Sequence, residues 1–246
     1  MLKRFNQDEG LFEKDFFDAR SKEQGFCRSY PRDTIYPRFK ALATQIKDQF
    51  KPETVLDIGC AKGFLVSAFK ELGVVAYGVD ISEYAISCAQ PEIKPYLYKV
   101  NLNKDVLPFE AEKFDFITCL ETVEYLHNYK LTIQEAYRLL KPGGYFYLET
   151  SYLRNRRDRM RINIHSKSFW ITEFEDNDRF KFIPHESVIL DRARLAYIFR
   201  NFQWKGTLKV KLGKLLYNKG GYLGKEIAYF IGGKFGGTIL FKKEGN

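Results

Sequence analysis

Two aspartates and a turn punctuated by glycines are the residues of this sequence best suited to hold a nucleotide-like ligand. Asp57 ends the apolar run "TVLD", and Gly59 and Gly63 follow it. Asp80 ends the next apolar run, "VVAYGVD". An acid after the second strand of a βαβ unit can accept hydrogen bonds from ribose hydroxyls. An acid after the first strand attracts a cationic group and repels a diphosphate.

The turn does not match the dinucleotide fingerprint. The pattern G-x-G-x-x-G needs glycines for a tight turn, for close approach to a pyrophosphate and for helix–strand packing. Counted from Gly59, those positions hold Gly59, Ala61 and Phe64. Phe64 is large where the helix would press on the strand, so a pyrophosphate site is not expected. Ala61 is acceptable beside a slimmer ligand, unless its φ angle must be positive.

Strand and helix patterns alternate between residues 34 and 151. The predicted strands are "TVLDIG", "VVAYGVD", "YLYKVNL", "FDFITCL" and "YFYLETS". The predicted helices cover residues 34–50, 62–72 (ended by Gly73), 82–89 (capped by Ser82) and 131–140 (stopped by "KPGG"). This alternation predicts βαβ units and a parallel sheet, with ligands bound outside the carboxyl ends of the strands.

The rhythm changes beyond residue 151. "SKSFWITEFE" predicts a short helix capped by Ser166 or Ser168, "RFKFIP" a strand, "ESVILDRARLAYIFRNF" an amphipathic helix and "GTILFKK" a last strand. We expect one domain over residues 1–246. Its expected parts are a lid-like segment (1–33), a ligand-binding core (34–151), substrate-side insertions (152–237), and the last strand and tail (238–246).

Positive charge is concentrated in the C-terminal part. Residues 152–246 hold 20 Lys+Arg and 9 Asp+Glu, a balance of +11, so the first 151 residues carry −2 of the net +9. This asymmetry indicates an anionic substrate or surface, or else a solvated basic face. No apolar run approaches the roughly 20 residues of a membrane span. The four cysteines have no C-x-x-C spacing and fit reduced, mostly buried thiols, so a cytoplasmic protein is expected.

Four motifs resemble those of the class I S-adenosylmethionine (SAM)-dependent methyltransferases. They are "LDIGCAKG", "GVDIS", "LPFEAEKFDFITCLETVEYL" and "LKPGGYFYLET", in the order and spacing of that family over residues 50–151. The resemblance implies a Rossmann-like three-layer α/β/α sandwich with a mostly parallel seven-stranded sheet and a C-terminal elaboration. It also implies SAM as cofactor and S-adenosylhomocysteine as product.

The resemblance assigns cofactor roles to residues after each strand. The methionine part of SAM would be held by the first turn, the ribose by Asp80, the adenine by Ile81, Asn101 and Leu102, and the methionine end by Leu120 and Glu121. Many relatives carry Asp at the position of Asn101. The first-turn residues are Asp57, Gly59, Cys60, Ala61 and Gly63.

The acceptor is predicted less directly. A base is needed only if the nucleophile carries a proton at neutral pH. The candidates are His127, His165 and Glu124, together with Glu121; each also has a purely structural interpretation. No metal is expected. The candidate substrate-binding residues are Tyr30 and Arg28 in the lid-like segment, Tyr152, Arg154 and Arg156 in the basic connection "SYLRNRRDRMR", and Trp170.

The sequence thus predicts methyl transfer to a small-molecule or carbohydrate acceptor, anionic and modified at oxygen, by a monomer or homodimer. A nucleic-acid methyltransferase is the first alternative, because the pI is near 9.2 and Lys and Arg are mixed with Tyr and Phe. Against it, no recognition module is appended and "CLET" replaces an N-P-P-Y-like tetrapeptide. A SAM-binding subunit without catalysis is the second alternative. Residues 205–237 could also contact an anionic membrane surface.

Overall fold

The computed structural model describes residues 12–18, 32–151, 160–176, 179–184, 186 and 236–245. The predicted helix "ESVILDRARLAYIFRNF", apart from Glu186, lies outside the described residues, as does most of the segment 205–237.

Helices and strands alternate through the described chain. The helices are α1 (Lys14–Asp18), α2 (Arg32–Phe50), α3 (Phe64–Glu71), α4 (Glu83–Ser87), α5 (Tyr129–Leu139) and α6 (Lys167–Glu175). The strands are β1 (Thr54–Ile58), β2 (Val75–Asp80), β3 (Leu97–Lys99), β4 (Phe114–Leu120), β5 (Leu140–Ser151), β6 (Phe180–Phe182) and β7 (Gly236–Lys243). Short 3₁₀ turns occupy Lys94–Tyr96 and Val123–Tyr125.

The strands form one seven-stranded sheet in the order β3-β2-β1-β4-β5-β7-β6. Pairing is parallel from β3 through β5, whereas β7 runs antiparallel to both of its neighbours. The chain leaves β1 towards β2 and β3, then crosses back to β4 on the other side of β1. Strand order therefore reverses between β1 and β4, and this is where an open α/β sheet binds its ligand. The predicted mostly parallel, Rossmann-like sheet is confirmed.

Apolar layers cover both faces of the sheet. On one face, β1 and β4 pack with α2 and α3 around Ile46, Phe69 and Phe116. On the other face, α5 and α6 pack around Leu139 and Phe174. Burial on both faces explains why "TVLDI" and "FDFITCL" are nearly continuous apolar runs rather than alternating ones.

The "KPGG" segment stops the helix before it, as predicted, and it also lies within β5. α5 ends at Leu139 and β5 starts at once, with a register shift against β4 between Phe114 and Phe116. Gly143 has φ +76°, and a Cβ on Gly144 would lie 3.0 Å from the carbonyl oxygens of Asp115 and Lys141. The two glycines therefore let the irregular start of β5 pass close to the neighbouring backbone.

Serine side chains begin α4 and α6. Ser82 Oγ accepts from Ala85 N at 3.0 Å, as predicted. Ser166 Oγ accepts from Phe169 N at 3.2 Å, which settles the choice between Ser166 and Ser168. Both contacts satisfy an amide that has no partner within its own helix.

The cysteines are only partly as expected. Cys60 and Cys119 are buried free thiols, Cys88 is exposed, and Cys27 lies outside the described residues. In the described ranges, no helix combines the length and apolar character needed to span a membrane.

Candidate functional site

The turn after β1 is shaped by two glycines. Gly59 has φ +78°, and a Cβ there would lie 2.0 Å from Thr122 Oγ1. Its N–H donates to Val79 O at 2.8 Å, which ties the turn to the end of β2. Gly63 has φ +71°, and a Cβ there would lie 2.8 Å from Leu97 Cδ1. Both positions therefore exclude a side chain by conformation and by space.

Ala61 has φ +49°, the condition under which an alanine is strained. A left-handed conformation costs a non-glycine residue about 1–2 kcal/mol. Two contacts oppose that strain. Ala61 N donates to Asp80 Oδ2 at 2.8 Å, and the methyl group is buried in a cluster that contains Phe16, Phe17 and Tyr125.

Asp80 is held by backbone amides at the end of β2. Oδ2 accepts from Ala61 N and Oδ1 accepts from Ser82 N, both at 2.8 Å. Burial raises the pKa of Asp80, as does the charge of Glu13, while these backbone hydrogen bonds oppose the rise. The amides fix the orientation of the carboxylate, whose remaining lone pairs can accept from ligand hydroxyls.

Asp57 lies behind the turn. Its carboxyl is 4% exposed and accepts a hydrogen bond from Thr118 Oγ1 at 2.8 Å. Burial raises the pKa of Asp57 to about 7, the Thr118 hydrogen bond opposes that rise, and the nearby charge of Asp80 adds to it. The group is thus an acid whose charge is costly unless a cation approaches.

One pocket gathers most of the predicted cofactor residues at the switch point. Its wall includes these predicted residues: Gly59, Ala61, Asp80, Ile81, Asn101, Leu102, Leu120 and Glu121. Cys60 and Gly63 lie behind the wall with Asp57. The Cys60 side chain points at β2, where a Cβ on Gly78 would meet its Sγ at 2.7 Å. The expectation that Cys60 lines the turn is therefore corrected, since its thiol packs against the sheet.

Asn101 has a loop-forming role in addition to its place in the wall. Its Oδ1 accepts from Asn103 N at 3.0 Å, and its own N–H donates to Asp105 Oδ2 at 2.8 Å. The side-chain oxygen is thus engaged in a local turn, which leaves the amide group of Asn101 better suited to donate than to accept.

Aromatic residues of the N-terminal segment complete the pocket. Phe12, Phe16 and Phe17 line it together with Tyr125, and Phe12 meets Phe16 and Tyr125 edge to face at 5.1 and 5.6 Å between ring centroids. Glu13 Oε2 accepts from Tyr84 N at 3.2 Å, which docks α1 on the start of α4. Sequence reasoning missed these residues, although the cluster "LFEKDFF" inside a polar segment was an available signal.

Arg161 joins three groups beside the pocket. Its Nη2 lies 2.8 Å from Glu121 Oε2, its Nε donates to Tyr125 Oη at 3.1 Å, and its Nη1 lies 3.4 Å from Glu124 Oε1. Glu124 is fully buried and accepts from Thr150 Oγ1 at 3.1 Å. Burial raises the pKa of Glu124 to about 8, the charge of Glu121 adds to the rise and Arg161 opposes it.

Several predicted acceptor-side residues are not at the pocket. His127 is exposed outside the described pocket wall. His165 stacks on Phe169 with 3.8 Å between ring centroids, also away from that wall. Glu124 is buried beneath it. Trp170 is fully buried in the core between α5 and α6, which corrects its expected place in a substrate wall. Tyr30, Arg28, Tyr152, Arg154 and Arg156 lie outside the described residues.

Phe64 occupies the place of the third fingerprint glycine. Its ring is buried and meets Tyr36 and Phe39 of α2, with ring centroids 6.3 and 6.4 Å away. The fold and the pocket are those of a nucleoside-binding α/β domain, with a glycine turn after β1 and Asp80 after β2. Because Phe64 replaces the third glycine of the dinucleotide fingerprint, the domain suits a ligand without a diphosphate. This is the class that the sequence motifs indicate.

Comparison with known proteins identifies the same class of protein as the sequence motifs. A family model described as a methyltransferase domain matches residues 29–205. A ubiquinone biosynthesis O-methyltransferase of Coxiella burnetii is 33% identical over 124 residues, which cover 49% of this chain and 52% of that protein. The chain thus spans about half the length of the curated relatives it matches. The chain therefore belongs to the methyltransferase domain family, that of the class I SAM-dependent methyltransferases.

Solved structures of low sequence identity share the fold of this chain, and the similarity extends to the fold alone. A chain from the complex between the Haloferax volcanii Trm112 methyltransferase activator and a methyltransferase has TM-score 0.57 and 17% identity, covering 86% of this chain and 92% of that one. The cyclase SpnF has TM-score 0.54 and 15% identity, covering 83% and 81%. A fold shared with an enzyme named as a cyclase leaves the reaction to be argued from the site.

Proposed function

We propose that this protein transfers a methyl group from SAM to an oxygen atom of a small-molecule or carbohydrate acceptor. The name of the curated relatives, an O-methyltransferase, supports both oxygen as the target and a small acceptor. That support extends over about half of each chain, so the site itself has to carry the proposal.

The orientation of Asp80 is the observation that carries it. Two backbone amides fix this carboxylate in the pocket wall, where ribose hydroxyls can donate to it. Ile81 and Leu102 offer apolar contact for an adenine beside it. In the same wall, Gly59 and Glu121 would hold the methionine part. The carboxylates of Asp80 and Glu121, with Asp57 behind them, suit a cationic ligand and disfavour a diphosphate.

SAM supplies an electrophilic methyl group, and the protein must align it with the acceptor and exclude water. Alignment of this kind can supply several kcal/mol of a reaction barrier, on the order of 7–11 at best. Phe12, Phe16 and Tyr125 cover the pocket with apolar surface. Of the four candidate bases, Glu121 lines the described pocket, but its carboxylate is paired with Arg161 and is placed at the methionine part, so we assign no general base.

The anionic character of the acceptor rests on residues beyond the described wall. Arg161, the last arginine of the basic connection, is paired with Glu121 and Glu124 instead of facing a ligand. Arg154 and Arg156 lie outside the described residues. The preference for an anion therefore remains a prediction based on the sequence.

The test begins with cofactor binding. Thermal shifts with SAM and S-adenosylhomocysteine should stabilise the wild type, and Asp80→Ala should weaken binding by about 1–3 kcal/mol. Asp115→Asn is the matched control, because Asp115 lies near the amino end of β4, away from the carboxyl ends of the strands, and pairs with Lys141. No shift with either ligand, or equal shifts in Asp80→Ala, would refute the proposed cofactor site.

Transfer of a labelled methyl group to nucleotide sugars, small hydroxyl acceptors and RNA then separates the reactions. Labelled nucleotide sugars or small molecules would support the proposal. Labelled RNA, with binding that falls steeply as salt rises, would support the nucleic-acid alternative. Tight SAM binding without transfer to any acceptor, including total cell extract, would support the non-catalytic subunit.

A further inference from the structure

The segment after the arginine-rich connection is bound to the 3₁₀ turn Val123–Tyr125. Ile162 N and Asn163 N donate to Glu124 O at 2.7 and 3.1 Å. Asn163 Nδ2 donates to Val123 O at 3.1 Å and also to Leu126 O. These bonds place Arg161 against the outer side of the pocket wall.

The guanidinium of Arg161 contacts two residues of that wall. Glu121 and Tyr125 both line the pocket, and Arg161 binds the carboxylate of the first and the hydroxyl of the second. Glu121 has φ +49°, an uncommon conformation for a residue with a side chain. The next residue, Thr122, donates to Leu120 O and packs over Gly59. A displacement of Glu121 would therefore move Thr122 and disturb its packing on the turn after β1.

We propose that Arg161 is a positioning residue of the cofactor pocket, which fixes the Glu121 carboxylate and the Tyr125 ring in the wall that faces the methyl donor. The inference rests on the proposed function. A planar fork suits this task, because Arg can bind separate acceptors with its Nε and Nη groups while an ammonium group is a single point charge. Nothing in the sequence motifs singles out Arg161 among the five arginines between residues 154 and 161.

The buried Glu124 complicates a simple test. Its Oε1 makes no hydrogen bond to any described residue, and the Arg161 Nη1 atom 3.4 Å away is the cation that faces it. Glu121, Arg161 and Thr150 surround the carboxyl, and the Cys119 thiol lies close enough to feel its charge. Removal of Arg161 alone would break its pair with Glu121 and remove the cation that opposes the raised pKa of Glu124, and both losses would destabilise the fold. The substitution Glu124→Gln removes that acid and separates stability from positioning.

The experiment measures S-adenosylhomocysteine binding by calorimetry and unfolding by thermal melts. Arg161→Met should lose both stability and affinity. The double variant Arg161→Met/Glu124→Gln should regain stability but still bind about 10-fold or more weakly, as expected when a charge-assisted hydrogen bond in a site is lost. Glu124→Gln alone should bind within about 3-fold of the wild type, since it leaves the Arg161–Glu121 pair intact.

Two further variants keep the proposal refutable. Arg138→Met removes a comparable pair, Arg138 Nη2 to Glu135 Oε2 at 2.6 Å, away from the pocket, and should lower stability with unchanged affinity. Arg161→Lys keeps the positive charge but lacks the planar guanidinium, so this variant should bind S-adenosylhomocysteine several-fold more weakly. Wild-type affinity in the double variant, or in Arg161→Lys, overturns the positioning role. Failure of the wild type to bind S-adenosylhomocysteine instead overturns the proposed function.

Discussion

Replacement of Asp57 by asparagine should stabilise the ligand-free protein at neutral and alkaline pH. Burial raises the pKa of Asp57 from 3.8 to about 7. The folded state therefore holds a proton that the unfolded chain releases, and stability is lost as pH rises from about 4 to about 7. The full difference corresponds to about 4 kcal/mol above pH 7, at 1.36 kcal/mol per pKa unit.

The net gain should be smaller, because an asparagine introduces an amide donor in a buried place. An unsatisfied buried donor costs about 1–3 kcal/mol. Thr118 Oγ1 can still donate to the amide oxygen, so that contact is kept. We therefore expect Asp57→Asn to be about 1–3 kcal/mol more stable at pH 8, a rise in melting temperature of roughly 2–12 °C for a chain of this size.

The assay is a set of thermal melts without ligand from pH 5 to pH 8. The advantage of Asp57→Asn should shrink towards pH 5, because the wild-type acid is then protonated at little cost. Asp115→Asn provides a control of opposite sign. Although burial opposes it, hydrogen bonds from Lys141 and Thr54 lower the pKa of Asp115, so its loss should destabilise the protein at neutral pH. A pH-independent difference between Asp57→Asn and the wild type would refute the reasoning.

Three more outcomes follow from local geometry. Gly59→Ala should abolish cofactor binding and lower stability by at least about 1–2 kcal/mol, because Gly59 has φ +78° and an added Cβ would overlap Thr122. Calorimetry and thermal melts measure the two effects, and retained binding would contradict the prediction. Ser82→Ala should cost about 0.5–2 kcal/mol in denaturant unfolding through the lost cap of α4. Glu124→Gln should flatten the fall of stability with pH up to about pH 8, because burial raises the pKa of Glu124 to about 8; an unchanged slope would argue against a buried acid.

The fold was predictable from the sequence wherever local signals agreed with burial. β4 spans the residues expected from "FDFITCL", and Ser82 caps α4 as its position before the helix indicates. The "KPGG" segment stops α5 as predicted, but its glycines do not reveal that it lies within β5. β4 pairs with Leu140 and Tyr145 on either side of it across a register shift, where a side chain would be crowded. Local composition cannot show that a neighbouring strand lies within hydrogen-bond distance.

The acceptor side of the site was harder to predict. His127, His165 and Trp170 follow the carboxyl edge in sequence, yet one is exposed, one stacks on Phe169 and one is buried. The predicted cofactor residues lie at strand ends, whose position the sheet dictates, whereas these three follow irregular connections. Their side-chain directions depend on long-range packing that no short motif encodes.

The conformation of Ala61 links the stability of the turn after β1 to the packing of the N-terminal segment on it. A glycine at that position would relieve about 1–2 kcal/mol of left-handed strain. It would also remove a buried methyl group, worth about 0.8 kcal/mol, and add backbone freedom to the unfolded chain, at roughly 0.5–1 kcal/mol. These terms nearly cancel. The methyl group belongs to the same cluster as Phe16, Phe17 and Tyr125, so an alanine is tolerated here because aromatic residues of α1 cover the turn.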